Sequence, residues 1–279
     1  MNIGVVGQGY VGSAIKFGFE NFFTIHTYDK YDTNKSTVES IEGLVSISDL
    51  IFVCVPTPMN SKTGECHTDI VKSVCKEILN YSKSKILIIK STVPPGTTLK
   101  LNNSLKTENI LFNPEFLTEA NFIEDFKNQN RIIIGGSPDK CKILENLYKQ
   151  VFKEAQIINT DSTSAEMVKY MTNAYLATKV SFANEIKLIC DSLSIDYDDV
   201  VKITTLDNRI GNTHLSVPGP DGELGFGGHC LPKDLNALIY LAEQNNLNIN
   251  ILKAALATND SLRKNRDWEA MSGRAIIDE

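Results

Sequence analysis

The sequence predicts an α/β protein in which a doubly wound, mostly parallel β-sheet is followed by a helical domain with a long central helix. Three observations predict this fold. Short runs rich in Val and Ile alternate with helical stretches in the first half, a glycine-rich turn follows the first run, and one long helical pattern opens the second half. Such alternation favours a parallel sheet covered by helices. We expect two domains, at residues 1–161 and 162–279.

The composition is that of an ordinary globular protein. The chain has 279 residues, of which 42% are hydrophobic and 22% are charged, and its net charge is −6. A mildly acidic chain is not expected to bind nucleic acid in general, and no apolar run approaches the ~20 residues of a membrane span. The N-terminus lacks the features of a signal peptide, and the six cysteines include no C-x-x-C pair. We therefore expect reduced thiols, a cytoplasmic location and no contact with membranes.

Seven strand-like runs are expected in the first half. Each is short, apolar and rich in β-branched residues, as buried parallel strands are. They cover residues 3–6, 23–28, 50–55, 85–89, 109–112, 131–136 and 155–158. Helical patterns separate them, for example at residues 70–82 and 139–152. Because ligands bind at the carboxyl ends of strands in such sheets, the polar residues that follow these runs are candidates for a site.

A glycine-rich turn directly follows the first strand. Gly7, Gly9 and Gly12 form the pattern G-x-G-x-x-G, and a helical pattern begins at Ser13. The glycines permit a tight turn, close approach of a pyrophosphate and close packing of helix on strand, and the helix N-terminus attracts phosphate. Asp29 ends the second strand, where a carboxylate can accept ribose hydroxyls and would repel a 2′-phosphate. The pattern predicts a Rossmann-like domain that prefers NAD to NADP.

Helical spacing dominates the second half. The pattern from Ser164 to Asp191 lacks Pro and Gly and predicts the long central helix, and Ser162–Ser164 with Glu166 resembles a capping box. Shorter helices are expected at residues 196–205, 235–244 and 249–264. The loop at residues 208–232 is rich in Gly and Pro, and loops of this length are usually functional. No cluster of His and Cys has metal-ligand spacing, so no metal is expected.

Several segments together resemble the nucleotide-sugar dehydrogenases of the UDP-glucose/GDP-mannose dehydrogenase family. They follow the family's order over most of the chain, and the G-F-G-G-x-C-x-P-K-D run is the most specific of them. The segments are G-Q-G-Y-V-G at 7–12, V-P-T-P at 55–58, K-S-T-V-P at 90–94, N-P-E-F-L-T-E at 113–119 with R-I-I-I-G at 131–135, K-Y-M-T-N at 169–173 with N-E-I at 184–186, D-N-R-I-G at 207–211, and residues 225–234.

The resemblance implies a four-electron oxidation, in which the C6 hydroxymethyl of a nucleotide sugar becomes a carboxylate and two NAD+ are reduced. A thiolate can trap the intermediate aldehyde as a thiohemiacetal, which gives up the second hydride and becomes a thioester. By motif match Cys230 is this nucleophile, and the neighbouring Lys233 favours its thiolate.

Five further residues match catalytic positions of the family. Lys169 and Asn173, spaced i, i+4 on one helix face, match a pair that stabilises negative charge on the C6 oxygen. Glu115 matches the base for thioester hydrolysis, and burial can raise the pKa of such a carboxylate toward the working pH. Thr92 and Asp234 match residues that hold the attacking water.

The resemblance also implies contacts with cofactor and substrate. The residues expected at the cofactor are Gly7, Gln8, Gly9, Tyr10, Val11, Gly12, Asp29, Lys30, Val55, Pro56, Thr57, Ser91, Thr92, Glu119 and Lys233. Those expected at the substrate are Glu115, Phe116, Leu117, Glu119, Lys169, Asn173, Arg209, Phe226, Gly227 and Gly228. His229 precedes the nucleophile but stands at a position that varies in the family, so we do not expect it to act as a general base.

The chain departs from the family in three respects. Family members usually carry a third, C-terminal domain that grips the nucleotide, so the chain is either a short form or a fragment. Thr118 stands where members often have Arg, and residues 213–224 form a longer lead into the cysteine loop than usual. Because the family dimerises through its long helix, we expect a homodimer through the helix from Ser164.

Two other functions stay open. A two-electron dehydrogenase of the β-hydroxyacid type has the same pair of domains and uses a Lys near an Asn, but it needs no cysteine. A non-catalytic NAD-binding module would have no reason to keep all six matched catalytic residues. The sugar nucleotide is open as well, with UDP-glucose favoured over UDP-N-acetyl sugars and GDP-mannose.

Overall fold

A computed structural model describes residues 1–278 of the chain. The chain forms two compact units, one of Met1–Thr57 with Thr68–Lys169 and one of Pro58–His67 with the residues from Tyr170 onward. The division falls inside the long helix, beyond the expected boundary at residue 161. The reason is that Ala165, in the second turn of this helix, belongs to the core of the first unit.

The helices and strands follow the order expected from the sequence. The strands are β1 Asn2–Val6, β2 Thr24–Tyr28, β3 Leu50–Val53, β4 Met59–Asn60, β5 Ile86–Ile89, β6 Ile110–Phe112, β7 Arg131–Gly135, β8 Gln156–Thr160 and β9 Ile276–Ile277. The helices are α1 Tyr10–Phe19, α2 Ile41–Ile47, α3 Asp69–Tyr81, α4 Thr97–Leu105, α5 Phe122–Lys127, α6 Pro138–Val151, α7 Ser162–Ser192, α8 Tyr197–Thr204, α9 Leu231–Gln244 and α10 Asn250–Leu262. None of the helices within residues 1–278 is long and apolar enough to cross a membrane.

The first unit is built on a seven-stranded sheet in the order β2-β1-β3-β5-β6-β7-β8. All neighbours are parallel except β6 and β7, which pair antiparallel at Phe112 and Gly135. Successive side chains of a strand point to opposite faces. Leu50 and Phe52 accordingly enter one buried cluster, whereas Ile51 and Val53 enter the other. The sheet is therefore covered on both faces, which confirms the predicted doubly wound fold.

The second unit is mainly helical. Its core joins Ala174 and Ala177 of α7 to Leu235 and Ile239 of α9 and Ala255 of α10. A small parallel sheet of β4 and β9 completes it. The sequence analysis missed these two strands, since two-residue strands carry no periodicity.

The helix that follows the cysteine loop begins earlier than expected. We predicted a helix from Leu235 and a loop that extends to Pro232, but α9 starts at Leu231. Pro232 lies in its first turn, where the missing N–H of proline has no helical partner to lose. Lys233 and Asp234 are therefore helical residues rather than loop residues.

Candidate active site

The glycine-rich turn between β1 and α1 has the geometry that a dinucleotide needs. Gly7 has a φ of +88°, and a Cβ there would lie 2.5 Å from the carbonyl oxygen of Cys54. A Cβ on Gly12 would lie 1.9 Å from the carbonyl oxygen of Gly7, so helix and turn touch directly. Within residues 1–278 no atom lies within 4 Å of a Cβ placed on Gly9, and no side chain caps α1 there. Open space before an uncapped helix start fits a pyrophosphate.

Asp29 closes the same turn from the end of β2. Its Oδ2 accepts a hydrogen bond from the Gln8 backbone N–H at 2.7 Å, and its Oδ1 accepts from the N–H groups of Tyr31 and Asp32. Burial alone would raise the pKa of Asp29, but these backbone donors and the nearby Lys35 hold the pKa below its ordinary value. The residue is therefore a fixed carboxylate at the position expected for a ribose-binding acid.

The ends of β3 and β5 are tied together by Ser91. Its hydroxyl donates to the carbonyl oxygen of Val55 at 2.6 Å. Pro56 and Thr57 follow Val55 directly, so the stretches expected at the cofactor after these two strands are neighbours. Lys30 lies on the surface, with its ammonium 5.6 Å from the centre of the Tyr31 ring.

A buried lysine, to which the sequence analysis assigned no role, lies at the end of β5. Lys90 Nζ donates to Asn113 Oδ1 at 3.1 Å and to the carbonyl oxygen of Pro114 at 3.3 Å. The Tyr148 hydroxyl also donates to Asn113 Oδ1. Burial lowers the pKa of Lys90 to about 8. A lysine after a buried strand was the only available signal, and its contacts with residues after β6 show that it fixes the segment that carries Glu115.

Glu115 and Lys169 form a buried ion pair. Lys169 Nζ lies 2.9 Å from Glu115 Oε1 and also donates to the Glu115 carbonyl oxygen at 2.8 Å. The backbone N–H of Leu117 donates to Glu115 Oε2 at 2.6 Å. Only 4% of the Lys169 side chain and 9% of the Glu115 side chain are exposed. The two residues expected to handle the C6 oxygen and the hydrolytic water are thus in direct contact.

The pKa of Glu115 moves in the direction opposite to the expectation. Burial does raise it, but the ammonium of Lys169, the Leu117 N–H and the charge of Lys90 together lower it below its ordinary value. The expectation neglected that a cation would lie against the carboxylate. Glu115 is therefore ionised at neutral pH, the state that a general base requires.

The second unit holds a buried network around Asp234. Asn173 Nδ2 donates to Asp234 Oδ2 at 2.5 Å, and Lys233 Nζ lies 2.5 Å from Asp234 Oδ1. All three residues are less than a tenth exposed. Burial lowers the pKa of Lys233, but the Asp234 carboxylate and the thiols of Cys66 and Cys230 outweigh burial and raise the pKa above its ordinary value. Lys233 is therefore a permanent cation below the cysteine loop.

Cys230 occupies the N-cap position of α9 and is half-buried. A helix N-terminus and a nearby lysine both favour a thiolate. The other cysteines are unlike it, since Cys54, Cys75 and Cys141 have their pKa raised by burial, to about 12, 12 and 11. All six thiols are free. Cys230 therefore has the strongest structural case for a nucleophile.

Side chains from α7 and α10 hold the glycine loop that precedes Cys230. Asn259 Oδ1 accepts from the Phe226 N–H at 2.7 Å, and Asn259 Nδ2 donates to the Phe226 carbonyl at 3.1 Å. Asn184 Oδ1 accepts from the Gly225 N–H, and Asp267 accepts from the Gly228 N–H. The sequence analysis assigned Asn259 and Asp267 no role, because their contacts depend on the tertiary fold.

The predicted site residues thus fall into two groups, each within one unit. The first-unit group is Lys90, Glu115 and Lys169, and the cysteine-loop group is Asn173, Cys230, Lys233 and Asp234. Glu119 is exposed and Thr92 is half-buried. Arg209 lies on the surface, where it pairs with Asp207 and 89% of its side chain is exposed. Within residues 1–278 no group of three His, Cys, Asp or Glu could hold a metal ion.

Family models match most of the chain. The model for the NAD binding domain of the UDP-glucose/GDP-mannose dehydrogenase family matches residues 27–156, and the model for the central domain of the same family matches residues 163–261. The UDP-glucose 6-dehydrogenase TuaD of Bacillus subtilis is 36% identical over 241 residues, which are 83% of this chain and 50% of that protein. The chain spans about half the length of the curated relatives it matches.

Solved structures agree with the family match. A UDP-glucose dehydrogenase from the hyperthermophilic archaeon Pyrobaculum islandicum has a TM-score of 0.84 at 30% identity, over 93% of this chain and 68% of that chain. The 3-hydroxyisobutyrate dehydrogenase of Mycobacterium tuberculosis has a TM-score of 0.76 over 99% of this chain and 96% of that chain, but at 14% identity this shows the fold alone. Both domain matches and the archaeal structure place this chain in the UDP-glucose/GDP-mannose dehydrogenase family.

Proposed function

We propose that this protein oxidises the C6 hydroxymethyl of a nucleotide sugar to a carboxylate with two NAD+, and that UDP-glucose is the substrate. The observation that carries the proposal is Cys230 at the N-terminus of α9, next to the buried network of Asn173, Lys233 and Asp234. A two-electron dehydrogenase has no use for such a cysteine. The UDP-glucose 6-dehydrogenases among the relatives support the choice of sugar.

The cysteine divides the oxidation into steps that balance. Bound NAD+ supplies the acceptor for one hydride in each oxidation. The Cys230 thiolate adds to the carbon of the C6 aldehyde while the aldehyde oxygen takes up a proton, which gives a thiohemiacetal. Loss of a hydride and of the hydroxyl proton leaves a thioester. Water then adds to the thioester, the carbon–sulfur bond breaks with its electron pair returning to sulfur, and the carboxylate forms.

The first-unit group serves the charge and the water in this scheme. Lys169 offers a buried cation to the oxygen on which negative charge develops, and Asn173, one turn further along α7, offers an amide N–H. Glu115 is ionised because Lys169 lies against it, so it can take a proton from the attacking water. Thr92 and Asp234 are proposed to orient that water.

The turn between β1 and α1 supports NAD as the cofactor. Gly7, Gly9 and Gly12 leave space for a pyrophosphate at the start of α1. The Asp29 carboxylate is held ionised by backbone donors, so it favours ribose hydroxyls and opposes a 2′-phosphate. We therefore propose NAD rather than NADP.

A homodimer through α7 is proposed as well. Apolar side chains recur at helical spacing on its exposed face, namely Met167, Met171, Tyr175, Phe182 and Ile189. An apolar stripe of this length on one helix is typical of a protein interface. Sedimentation at micromolar concentration should give a dimer, and a monomer alone would contradict the proposal.

The test of the proposed reaction is the amount of NADH formed per molecule of UDP-glucose. We expect two NADH per sugar for the native protein, no completed oxidation for Cys230→Ala, and unchanged stoichiometry for the control Cys190→Ala. One NADH per substrate with no effect of Cys230→Ala would favour the β-hydroxyacid type. NAD binding without turnover of any nucleotide sugar would favour a non-catalytic module.

A further inference from the structure

The side chain of His229 lies between the thiol of Cys230 and the guanidinium of Arg274. Its Nε2 is 3.4 Å from Cys230 Sγ, and its Nδ1 is 3.4 Å from Arg274 Nη2. All three residues belong to the second unit and are half-buried. The sequence analysis gave no role to His229 and did not consider Arg274. The contact therefore adds a group that touches the reacting sulfur.

The chemistry of arginine decides where the proton of this imidazole lies. A guanidinium has only donors and does not lose a proton in proteins. In the contact with Arg274, His229 Nδ1 must therefore be the acceptor, so it carries no proton. A neutral imidazole then has its proton on Nε2. Nε2 is the atom that faces Cys230 Sγ, and it acts as a donor there.

We propose that His229 is a catalytic residue that donates a hydrogen bond from Nε2–H to the Cys230 thiolate, and that Arg274 is a positioning residue that fixes this tautomer. The catalytic meaning rests on the proposed function, since it needs Cys230 as the nucleophile. A histidine held in this way cannot accept the thiol proton, so it is not a general base.

The hydrogen bond serves two points of the reaction. It stabilises the thiolate before it adds to the aldehyde. It stabilises the same thiolate again when the carbon–sulfur bond of the tetrahedral adduct breaks and the electron pair returns to sulfur. Between these points the sulfur is bound to carbon and is neutral, so the N–H···S contact is weaker. Such a donor therefore favours both entry to and exit from the covalent intermediate.

The fold fixes both partners of His229. Cys230 is held at the start of α9, where the backbone N–H of Asp234 donates to its carbonyl oxygen at 2.9 Å. Arg274 directly precedes Ala275, which is fully buried and whose carbonyl oxygen accepts from the Met59 N–H at 2.8 Å. β4 begins at Met59 and pairs with β9. The small sheet thus places the guanidinium against Nδ1.

The first experiment measures the alkylation rate of Cys230 by iodoacetamide at pH 7, followed by mass spectrometry of the peptide that contains it. His229→Ala should slow alkylation about tenfold, which is the size expected for one lost hydrogen bond to a charged group. His229→Gln keeps an N–H donor at a similar reach and should stay within about twofold of the native rate. His214→Gln is the matched control and should have no effect. Equal rates for the native protein and His229→Ala would overturn the proposal.

The second experiment reads the tautomer directly by long-range 1H–15N NMR of the histidine ring. We expect the Nε2–H form for His229 in the native protein and a mixed or protonated ring in Arg274→Met. A native ring with its proton on Nδ1, or a native imidazolium, would overturn the proposal. Circular dichroism of each variant shows whether it has folded.

Neither experiment needs turnover, so the two proposals fail separately. If the tautomer and alkylation results are as expected but no nucleotide sugar is oxidised, the proposed function fails and the catalytic role of His229 falls with it. If two NADH form per sugar while His229→Ala is alkylated at the native rate, the inference about His229 fails alone.

Discussion

Glu166 accepts two hydrogen bonds from Thr98, one from the backbone N–H at 2.8 Å and one from the hydroxyl at 2.6 Å, both at Oε1. Its Oε2 accepts from the Gly96 N–H at 2.6 Å. The residue is fully buried, so one carboxylate of α7 anchors the first turn of α4. Burial raises the pKa of Glu166 to about 7, although the donors of Thr98 and Gly96 oppose the rise.

The raised pKa of Glu166 predicts a loss of stability with rising pH. The folded protein binds this proton more tightly than the unfolded chain, whose carboxyl titrates near 4.5. The contribution is therefore complete below about pH 4.5 and is lost as pH rises to about 7, at a cost of up to about 3 kcal/mol. Urea unfolding at pH 5 and pH 8 should show the native protein losing stability relative to Glu166→Gln. A difference that does not change with pH would mean that the three donors fully offset burial.

Removal of Lys169 should destabilise the first unit strongly. Lys169→Met leaves Glu115 buried without its cation, and breaking a buried pair in this way costs about 3–5 kcal/mol. The double variant Lys169→Met/Glu115→Gln should recover part of this loss, because no charge is then left unpaired. Lys127→Met is the control, since its partner Glu124 is exposed and the change should cost less than about 1 kcal/mol. Equal losses in the single and double variants would contradict a buried ion pair.

Asn259 should hold the glycine loop in place. Asn259→Ala removes both hydrogen bonds to the Phe226 backbone, and unpaired buried backbone groups cost on the order of 2 kcal/mol. Hydrogen exchange at the Phe226 amide should become faster, and alkylation of Cys230 should change with it. Asn245→Ala, at the exposed end of α9, should leave both unchanged. Native exchange at Phe226 in Asn259→Ala would show that the loop is held by other contacts.

Two glycines of the first turn should respond differently to alanine. In Gly12→Ala the new Cβ meets the Gly7 carbonyl oxygen at 1.9 Å, so both stability and NAD binding should fall, stability by about 1–3 kcal/mol. In Gly9→Ala no described atom lies within 4 Å, so the melting temperature should stay within a few degrees. NAD binding should still fall in calorimetry, because the methyl occupies the proposed pyrophosphate position. Unchanged NAD affinity in Gly9→Ala would place the pyrophosphate elsewhere.

The sheet could be predicted from the sequence because buried parallel strands are written as short apolar runs. The run at residues 50–55 illustrates the remaining error, since β3 ends at Val53 while the apolar character continues to Val55. The residue types of the site were found by resemblance, but not their contacts. Glu115 and Lys169 are 54 residues apart in the chain, and no local pattern records that their side chains meet.

Glu166 shows why a local motif can mislead. Ser162–Ser164 with Glu166 fits a capping box, yet the helix start is capped by Asp161. Its carboxylate accepts from the N–H and the hydroxyl of Ser164 at 2.9 and 2.6 Å. The Glu166 side chain instead enters the core of the first unit. Whether an acid at this position caps its own helix or another one depends on tertiary packing, which the four-residue pattern does not contain.

The antiparallel pairing of β6 with β7 sets the length of α7 that precedes Lys169. Because β8 runs parallel to β7, the chain leaves β8 at the sheet edge opposite the one where Glu115 follows β6. Seven residues of helix from Ser162 rise about 10 Å and bring Lys169 back toward that carboxylate. This stretch therefore acts as a ruler. A one-residue insertion in it would turn the ammonium about 100° away from Glu115, whereas a four-residue insertion would restore the direction and overshoot by about one turn.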